Sequence, residues 1–546
     1  MSKLKSLSSR PPVWIFILFA AAAFAALLYT YVSVYVPGLG ITKLIQVGEE
    51  FDRRGLASFR SAPKYLRPST RWGFDGQHYA QIALDPLLRD PQIKIAIDNP
   101  PYRARRILLP WLAWLGGLGR PAWVLNVYAS LNLVFWIGFV AVLIPLFRPY
   151  GWAGLAGFAA MLLTCGIIES MHAALTDFPA FVLMMLAVIA GGTRGAGVLA
   201  LAGLARETNI AGLVGLWDYR PPWRATLQRN LRLGLIAAVP MLLWFGYVAW
   251  RLRMSATVDA GNLDWPLRGI MEKLGEFSVK AADGTIHWDQ WFHELYTSEA
   301  LHALLTIVAT LTQCLYLFLH RDWENRLWRL GALFALFFLC IGFPAWQSHF
   351  TVTRHALPVT LAFNLLLAIR PRRTWAVWFL LGNSFVPYGV HLFVIEDCLD
   401  PRAHPEYAVA SALPSTPAVS LRFEGGWANS ELNRSHRWHW ATASHATLVL
   451  VNPAPGPLTA ELAFTTTSVT PRDLAITVDG TPVWSGHVTA APQTVRTAEF
   501  LLPPGPTRVN LDSPQPPAPP FVTDSRRLAF LVKDLQLRLG APPAPP

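Results

Sequence analysis

Apolar runs longer than a globular core requires decide what this chain can become. Val13 to Val36 carries no charged residue, and its length suffices to cross a hydrocarbon layer of about 30 Å. Lys3, Lys5 and Arg10 precede it, as in a signal peptide. Its apolar part nevertheless exceeds the roughly 7–15 residues of a signal h-region, so an uncleaved anchor is expected. Further runs read as spans over Pro121 to Phe147, Trp152 to Ile168, Phe178 to Gly192, Leu231 to Trp250, Ala300 to Leu319, Leu327 to Trp346, Ala356 to Ile369 and Thr374 to Ile395. With 53% hydrophobic and 15% charged residues in 546, the expected class is an all-α polytopic membrane domain of about nine full spans.

The net charge of +12 does not imply nucleic acid, because the basic residues fall in short clusters between apolar runs, as orientation-setting charge does. Arg148, Arg194, Arg220 to Arg232, Arg321 to Arg329 and Arg370 to Arg373 place those connectors, with residues 1–12, in the cytoplasm. Arg194 and Arg220 then lie on one side, so Gly195 to Trp217 must enter the membrane and return. That makes a re-entrant helical hairpin, each arm about 16 Å long at 1.5 Å per residue, with Ala205-Arg206-Glu207-Thr208-Asn209 at its tip. Ions at such depth face protein or a watery cavity. Ile107 to Leu118 is too short to span and reads as a helix in the interface.

The transmembrane domain is therefore expected over 13–395, with a long outer loop over 37–120, a linker over 396–417, an extracytoplasmic β-sandwich over 418–540 and a disordered tail over 541–546. The sandwich rests on β-rich runs at Thr447 to Val451, Leu458 to Phe464, Leu474 to Val478, Val483 to Val488, Thr494 to Leu502 and Leu528 to Leu537. Turn residues such as Asp479-Gly480 separate them. Cys165, Cys314 and Cys340 lie in apolar runs and Cys398 has no neighbouring cysteine, which indicates neither a disulfide framework nor a metal cluster. No glycine-rich phosphate loop or Ser-His-Asp pattern is present.

The chemistry concentrates in the outward segments. In Trp72-Gly73-Phe74-Asp75-Gly76-Gln77-His78-Tyr79 a carboxylate stands beside aromatic rings, which suits a general base, and Gln77, His78 and Tyr79 follow as substrate-binding candidates. The competing reading of Asp75 is an Asx-turn capping a helix that starts near Gly76. Arg103, Arg105 and Arg106 stand at the depth of lipid phosphates, to clamp a lipid-linked phosphate or rest on anionic headgroups. The second outer loop carries Glu169, His172 and Asp177. Asp177 is placed either to cap the next helix or to touch substrate. Arg206 and Glu207 either pair with each other or face a charged ligand. Arg354 and His355 sit at the mouth of a later span. Trp265, Trp288, Trp291 and His293 read as an acceptor platform or an interfacial aromatic belt.

Taken in order, Phe74 to Tyr79, Arg105 to Pro110, Ala174 to Ala180, Leu204 to Asn209 and Arg354 to Pro358 resemble the GT-C superfamily of polytopic glycosyltransferases, in the bacterial branch that builds cell-surface glycopolymers. The resemblance covers Val13 to Ile395. It implies transfer of a sugar from a polyprenyl-phosphate donor to a glycan or lipid acceptor at the outer face of the bacterial cytoplasmic membrane. It also implies Asp75 as catalytic base, and Arg206 and Arg354 near the donor phosphate. The second loop offers only Glu169 and Asp177 where many relatives carry paired acids, which leaves divalent-metal dependence open; no cofactor is implied. The tail from Phe423 is similar to jelly-roll domains appended to some bacterial members, through Gly426-Trp427, Arg437 to Trp440 and Arg526 to Phe530. A non-catalytic scaffold or lipid-sugar transporter is the alternative. The oligomeric state is not specified by the sequence.

Overall fold

The computed structural model describes residues 11–35, 38–64, 73–254, 263–282, 298–346, 349–394, 409–411, 419–428, 431–432, 437–519 and 527–540. The chain divides into a helical unit through Glu396 and a sheet unit from Asp397. Trp72, Trp288, Trp291, His293 and the expected tail over 541–546 lie outside the described residues.

Among the described residues, four helical stretches are long and apolar enough to cross a membrane: Val13–Ser33, Pro121–His172, Trp223–Leu252 and Ala300–Leu319. Asp177–Ala190 and Leu357–Ile369 are apolar but shorter. Nine full spans are not confirmed, because several of the expected ones are interrupted. The run over 152–168 divides into Gly151–Leu162 and Cys165–His172, that over 327–346 into Arg326–Leu339 and Phe343–Trp346, and that over 374–395 into Trp375–Gly382 and Val386–Val394. Hydropathy sums over a window and does not register such breaks. Local chemistry does set them: Asn383 exchanges two side-chain hydrogen bonds of 3.0 Å with Asn364, and Gln313 donates to the Gly382 carbonyl at the end of the preceding helix. Otherwise orphaned helix-end groups are satisfied inside the protein.

The segment expected as a re-entrant hairpin folds as two helical arms of unequal length. A helix over Gly192–Ala205 gives way at Arg206, whose backbone is extended, and the chain returns through a 3-10 turn, Glu207–Gly212, and a short helix, Leu213–Leu216. The arms pack closely. A Cβ at Gly195 would lie 3.0 Å from Leu216, and one at Gly212 2.8 Å from Leu199. Arg329 pins the returning arm, donating to the carbonyls of Val214, Gly215 and Trp217. Expected as an interfacial helix over Ile107 to Leu118, the apolar segment after Arg106 forms a helix over Leu108–Gly116.

The sheet unit holds a five-stranded sheet, in which Gly505–Asp512 lies between His445–Asn452 and Arg472–Val478, and a seven-stranded sheet centred on Leu458–Ser468 and Phe530–Gly540. Leu448, Leu450, Ile476 and Val509 from the first share one apolar core with Leu458, Leu462, Phe464 and Leu537 from the second. Asp479 and Gly480 both take positive φ, which gives the tight two-residue link between paired strands. Three expectations are corrected. The run over 494–502 is two strands, Gln493–Arg496 and Phe500–Leu502, because Thr497 turns its hydroxyl to the Leu462 N–H. Gly505–Asp512 escaped notice behind Pro506, although Thr507, Val509 and Leu511 alternate inward. Val409–Ser411, within the expected linker, pairs in parallel with Leu537 to Leu539.

Candidate functional site

The site forms where the long segment between the helices Val13–Ser33 and Pro121–Phe147 meets the segment before Asp177. Gly73 takes φ +63, and a Cβ there would come within 2.4 Å of the Gly48 nitrogen. Gly76 does not adopt positive φ. It is the contact point, since a Cβ would lie 2.4 Å from the Ala173 carbonyl oxygen. The helix Gly76–Leu84 thus starts against the backbone of Ala173 and Ala174. That backbone is fixed from the other side by Tyr128, which donates to the Ala174 carbonyl at 2.8 Å, and by Asn132, which donates to that of Leu175 at 3.0 Å.

Asp75 precedes this helix without capping it through its side chain. Its Oδ1 accepts from Arg103 Nη2 at 2.9 Å. Arg103 is in turn gripped by Asp98, with Nε to Oδ1 at 3.0 Å and Nη2 to Oδ2 at 2.7 Å. One guanidinium nitrogen therefore serves two carboxylates. Burial alone would raise the Asp75 carboxyl, but the Arg103 guanidinium outweighs it and holds the group well below the ordinary carboxylate range. Asp98 is lowered too, its partial burial outweighed by Arg103 and His78. His78 stands 3.6 Å from Asp98 with its ring edge-on to Phe51. Burial depresses it to about 4 despite Asp98, so it is neutral at pH 7.

A second group joins the hairpin tip to the same place. Arg106 makes a forked pair with Glu207, at 3.0 and 3.1 Å, across 101 positions of sequence. It also donates to Tyr79 Oη at 3.0 Å, and Arg103 reaches the same oxygen at 3.5 Å. Tyr102 accepts from Arg106 as well. Arg206 turns to Asp177 and donates to His355 Nδ1 at 2.8 Å. A guanidinium has no acceptor, so His355 carries its proton on Nε2. Arg354 approaches Asp177 at 3.5 Å and donates to Thr351 at 3.0 Å. It stands within electrostatic reach of Asp75 and Glu169.

Asp177 opens its helix but ties Arg206 and Arg354 instead of capping, and Arg206 and Glu207 bond to separate partners. Of Arg103, Arg105 and Arg106, the first and last face the acids, whereas Arg105 lies over the Phe245 ring, 5.1 Å from its centroid. Gln77 is wholly buried, and its Oε1 accepts the Gly48 N–H at 2.9 Å, so it holds the loop together and is not presented to a substrate. His172 is buried, with its carbonyl accepting from Gln46. Trp265 is exposed on a separate segment.

Sequence reasoning passed over Asp98 and Tyr102. Asp98 begins an Asp-Asn-Pro-Pro run that reads as a turn, and Asn99 does cap the short helix Pro100–Arg103 by accepting from the Tyr102 N–H. That cap delivers Arg103 and Arg106 to the site. Among the described residues, no three His, Cys, Asp or Glu side chains are grouped to hold a metal ion. No protein-family model matches the sequence, and no curated protein matches it at a significant level.

Proposed function

We propose that this protein is a GT-C-type glycosyltransferase of about nine passes in the bacterial cytoplasmic membrane, with its N-terminus cytoplasmic and a jelly-roll-like C-terminal domain in the periplasm. It transfers a sugar, with inversion, from a polyprenyl-phosphate donor to a glycan or lipid acceptor. The observation that carries the reading is Asp75. Its carboxylate makes no capping bond to its own helix and is 45% exposed at the edge of a buried arginine-carboxylate cluster.

The chemistry asks for little more. The acceptor oxygen forms a bond to the anomeric carbon as that carbon's bond to the phosphate oxygen breaks, and the hydroxyl proton passes to Asp75 and then to solvent. The departing lipid phosphate keeps the electron pair. It is a stable anion needing positive charge more than a proton, and Arg106, Arg206 and Arg354 supply guanidiniums whose present partners are carboxylates. This differs from glycoside hydrolysis, where a pair of carboxyl groups brackets the bond.

Purified full-length protein, given a labelled polyprenyl-phosphate hexose and an alkyl glycoside as acceptor, is expected to release free polyprenyl phosphate and form a labelled glycoside product. Asp75→Asn should slow that release by about 10²–10⁴-fold, the range of general-base contributions, while the protein still unfolds in one cooperative transition. Release at the normal rate by a folded Asp75→Asn protein removes Asp75 from the chemistry. Donor binding without any release favours the scaffold or lipid-sugar transporter.

A further inference from the structure

The charged cluster is not symmetric in what it shows to solvent. Asp75 and Asp98 have side chains 45% and 37% exposed, whereas Arg103, Arg106, Arg206 and Arg354 are no more than 11% exposed. The guanidiniums stand behind and the carboxylates stand in front. A molecule arriving from the water meets two negative groups joined through a single Arg103 nitrogen.

The hydrogen-bonding capacity of that front is equally one-sided. An ionised carboxylate only accepts, with about four lone-pair positions. Among the described residues, Asp75 receives one hydrogen bond, from Arg103. Asp98 receives two from Arg103 and one from the Asn99 N–H. What remains on the two carboxylates, among the described residues, is an array of open acceptors beside the half-buried Tyr102, whose ring centroid lies 5.6 Å from the Arg103 guanidinium. Hydroxyl groups on an apolar ring face complement it, and an anion does not. Repulsion from two carboxylates in a partly desolvated recess is stronger and less screened than in bulk water.

We infer that the acceptor is a neutral sugar, recognised through hydroxyls donated to Asp75 and Asp98, and that Asp98 excludes acidic glycans. The inference rests on the transferase reading above. Asp98 is then a specificity residue as well as the group that positions Arg103.

The test supplies the full-length protein with a polyprenyl-phosphate hexose and either an alkyl glucoside or the matching alkyl glucuronide, following polyprenyl phosphate release and glycoside product. The glucoside should be used with a kcat/KM at least about tenfold above the glucuronide, which differs from it by one unit charge. Asp98→Asn should narrow that ratio, mainly through the acceptor KM, and Asp98→Glu should restore it. A glucuronide used as well as the glucoside overturns the acceptor assignment and leaves the transferase reading standing, as does release that no glycoside accelerates. A ratio unmoved by Asp98→Asn overturns the role of Asp98. Absence of release under every condition brings down the transferase reading, and the acceptor assignment with it.

Discussion

Arg106 in the helical unit and Arg472 in the sheet unit are both buried, and they differ in what holds them. Arg472 donates to the carbonyls of Thr470, Gln515 and Pro516 and to the Thr470 hydroxyl. Arg106 donates to the carboxylate of Glu207 and to two tyrosine hydroxyls. A guanidinium held by backbone carbonyls pins loops, and no ligand can take its partners' place without unfastening the chain. One held by a carboxylate can exchange one anion for another at little geometric cost, because carboxylate and phosphate fit the same fork. Burial alone does not separate structural arginines from functional ones. The chemistry of the partner does.

The largest expected effect tests the ionic side of that comparison. Arg106→Ala leaves the partly buried Glu207 without its forked partner, which should cost up to about 3–5 kcal/mol, read as a lowered denaturation midpoint and faster hydrogen exchange over Glu207–Gly212. Glu207→Gln in the same background should recover most of the loss, since the stranded charge is then gone. If Arg106→Ala proves milder than removal of Arg472, the distinction between carboxylate-held and carbonyl-held arginines fails as a guide to this molecule.

His78 offers a smaller effect with a definite sign. It lies beside the ionic cluster, facing Asp98, Asp75, Arg103 and Arg54, and burial lowers it from 6.5 to about 4. Between those values the unfolded chain binds the proton and the folded chain does not, so stability rises with pH and is lost as pH falls from 6.5 toward 4. The loss from this group is about 3 kcal/mol at 1.36 kcal/mol per unit. Asp75 and Asp98 are held below their ordinary value of 3.8, and their contribution disappears only under more acidic conditions. His78→Phe, which keeps an aromatic edge against Phe51, should flatten the curve between pH 6.5 and 4 in chemical denaturation. An unaltered slope would place the acid sensitivity elsewhere.

What was readable in the sequence follows from the range of the forces involved. Pro121 to Phe147 was read as an apolar helix and forms one with the same bounds, because apolar length and an initial proline are local signals. The same holds for the Asp479-Gly480 turn. Asp75, Asp177, Arg206, Glu207 and Arg354 stood out as charges in unusual settings, and the structure brings them together. Their pairing was not readable, since Arg106 meets Glu207 and Arg206 meets His355 only through the packing of distant segments. The role of Gly76 is hidden for the same reason: it admits the Ala173 carbonyl, a neighbour distant in sequence. Asp98 was hidden by a run that fits a turn, which it also makes. Sequence marks which residues are chemically expensive to place, and the fold determines what compensates them.

Arg472→Ala completes the comparison from the neutral side. Its four acceptors are three carbonyls and a hydroxyl, none of which carries charge. Losing the guanidinium should cost about 1–3 kcal/mol, the range for buried polar groups left unsatisfied, and part of that is recoverable if water enters the gap. The effect should be local. Strand Arg472–Val478 and the segment holding Gln515 and Pro516 should exchange amide hydrogens about 5- to 150-fold faster, the same free energy expressed as an opening equilibrium. Glu207–Gly212, in the other unit, should keep its protection. Arg472→Lys should restore little, because one ammonium cannot reach carbonyls arranged around a planar fork. A full rescue by lysine would mean that charge matters there more than geometry, and Arg472 would then belong with Arg106.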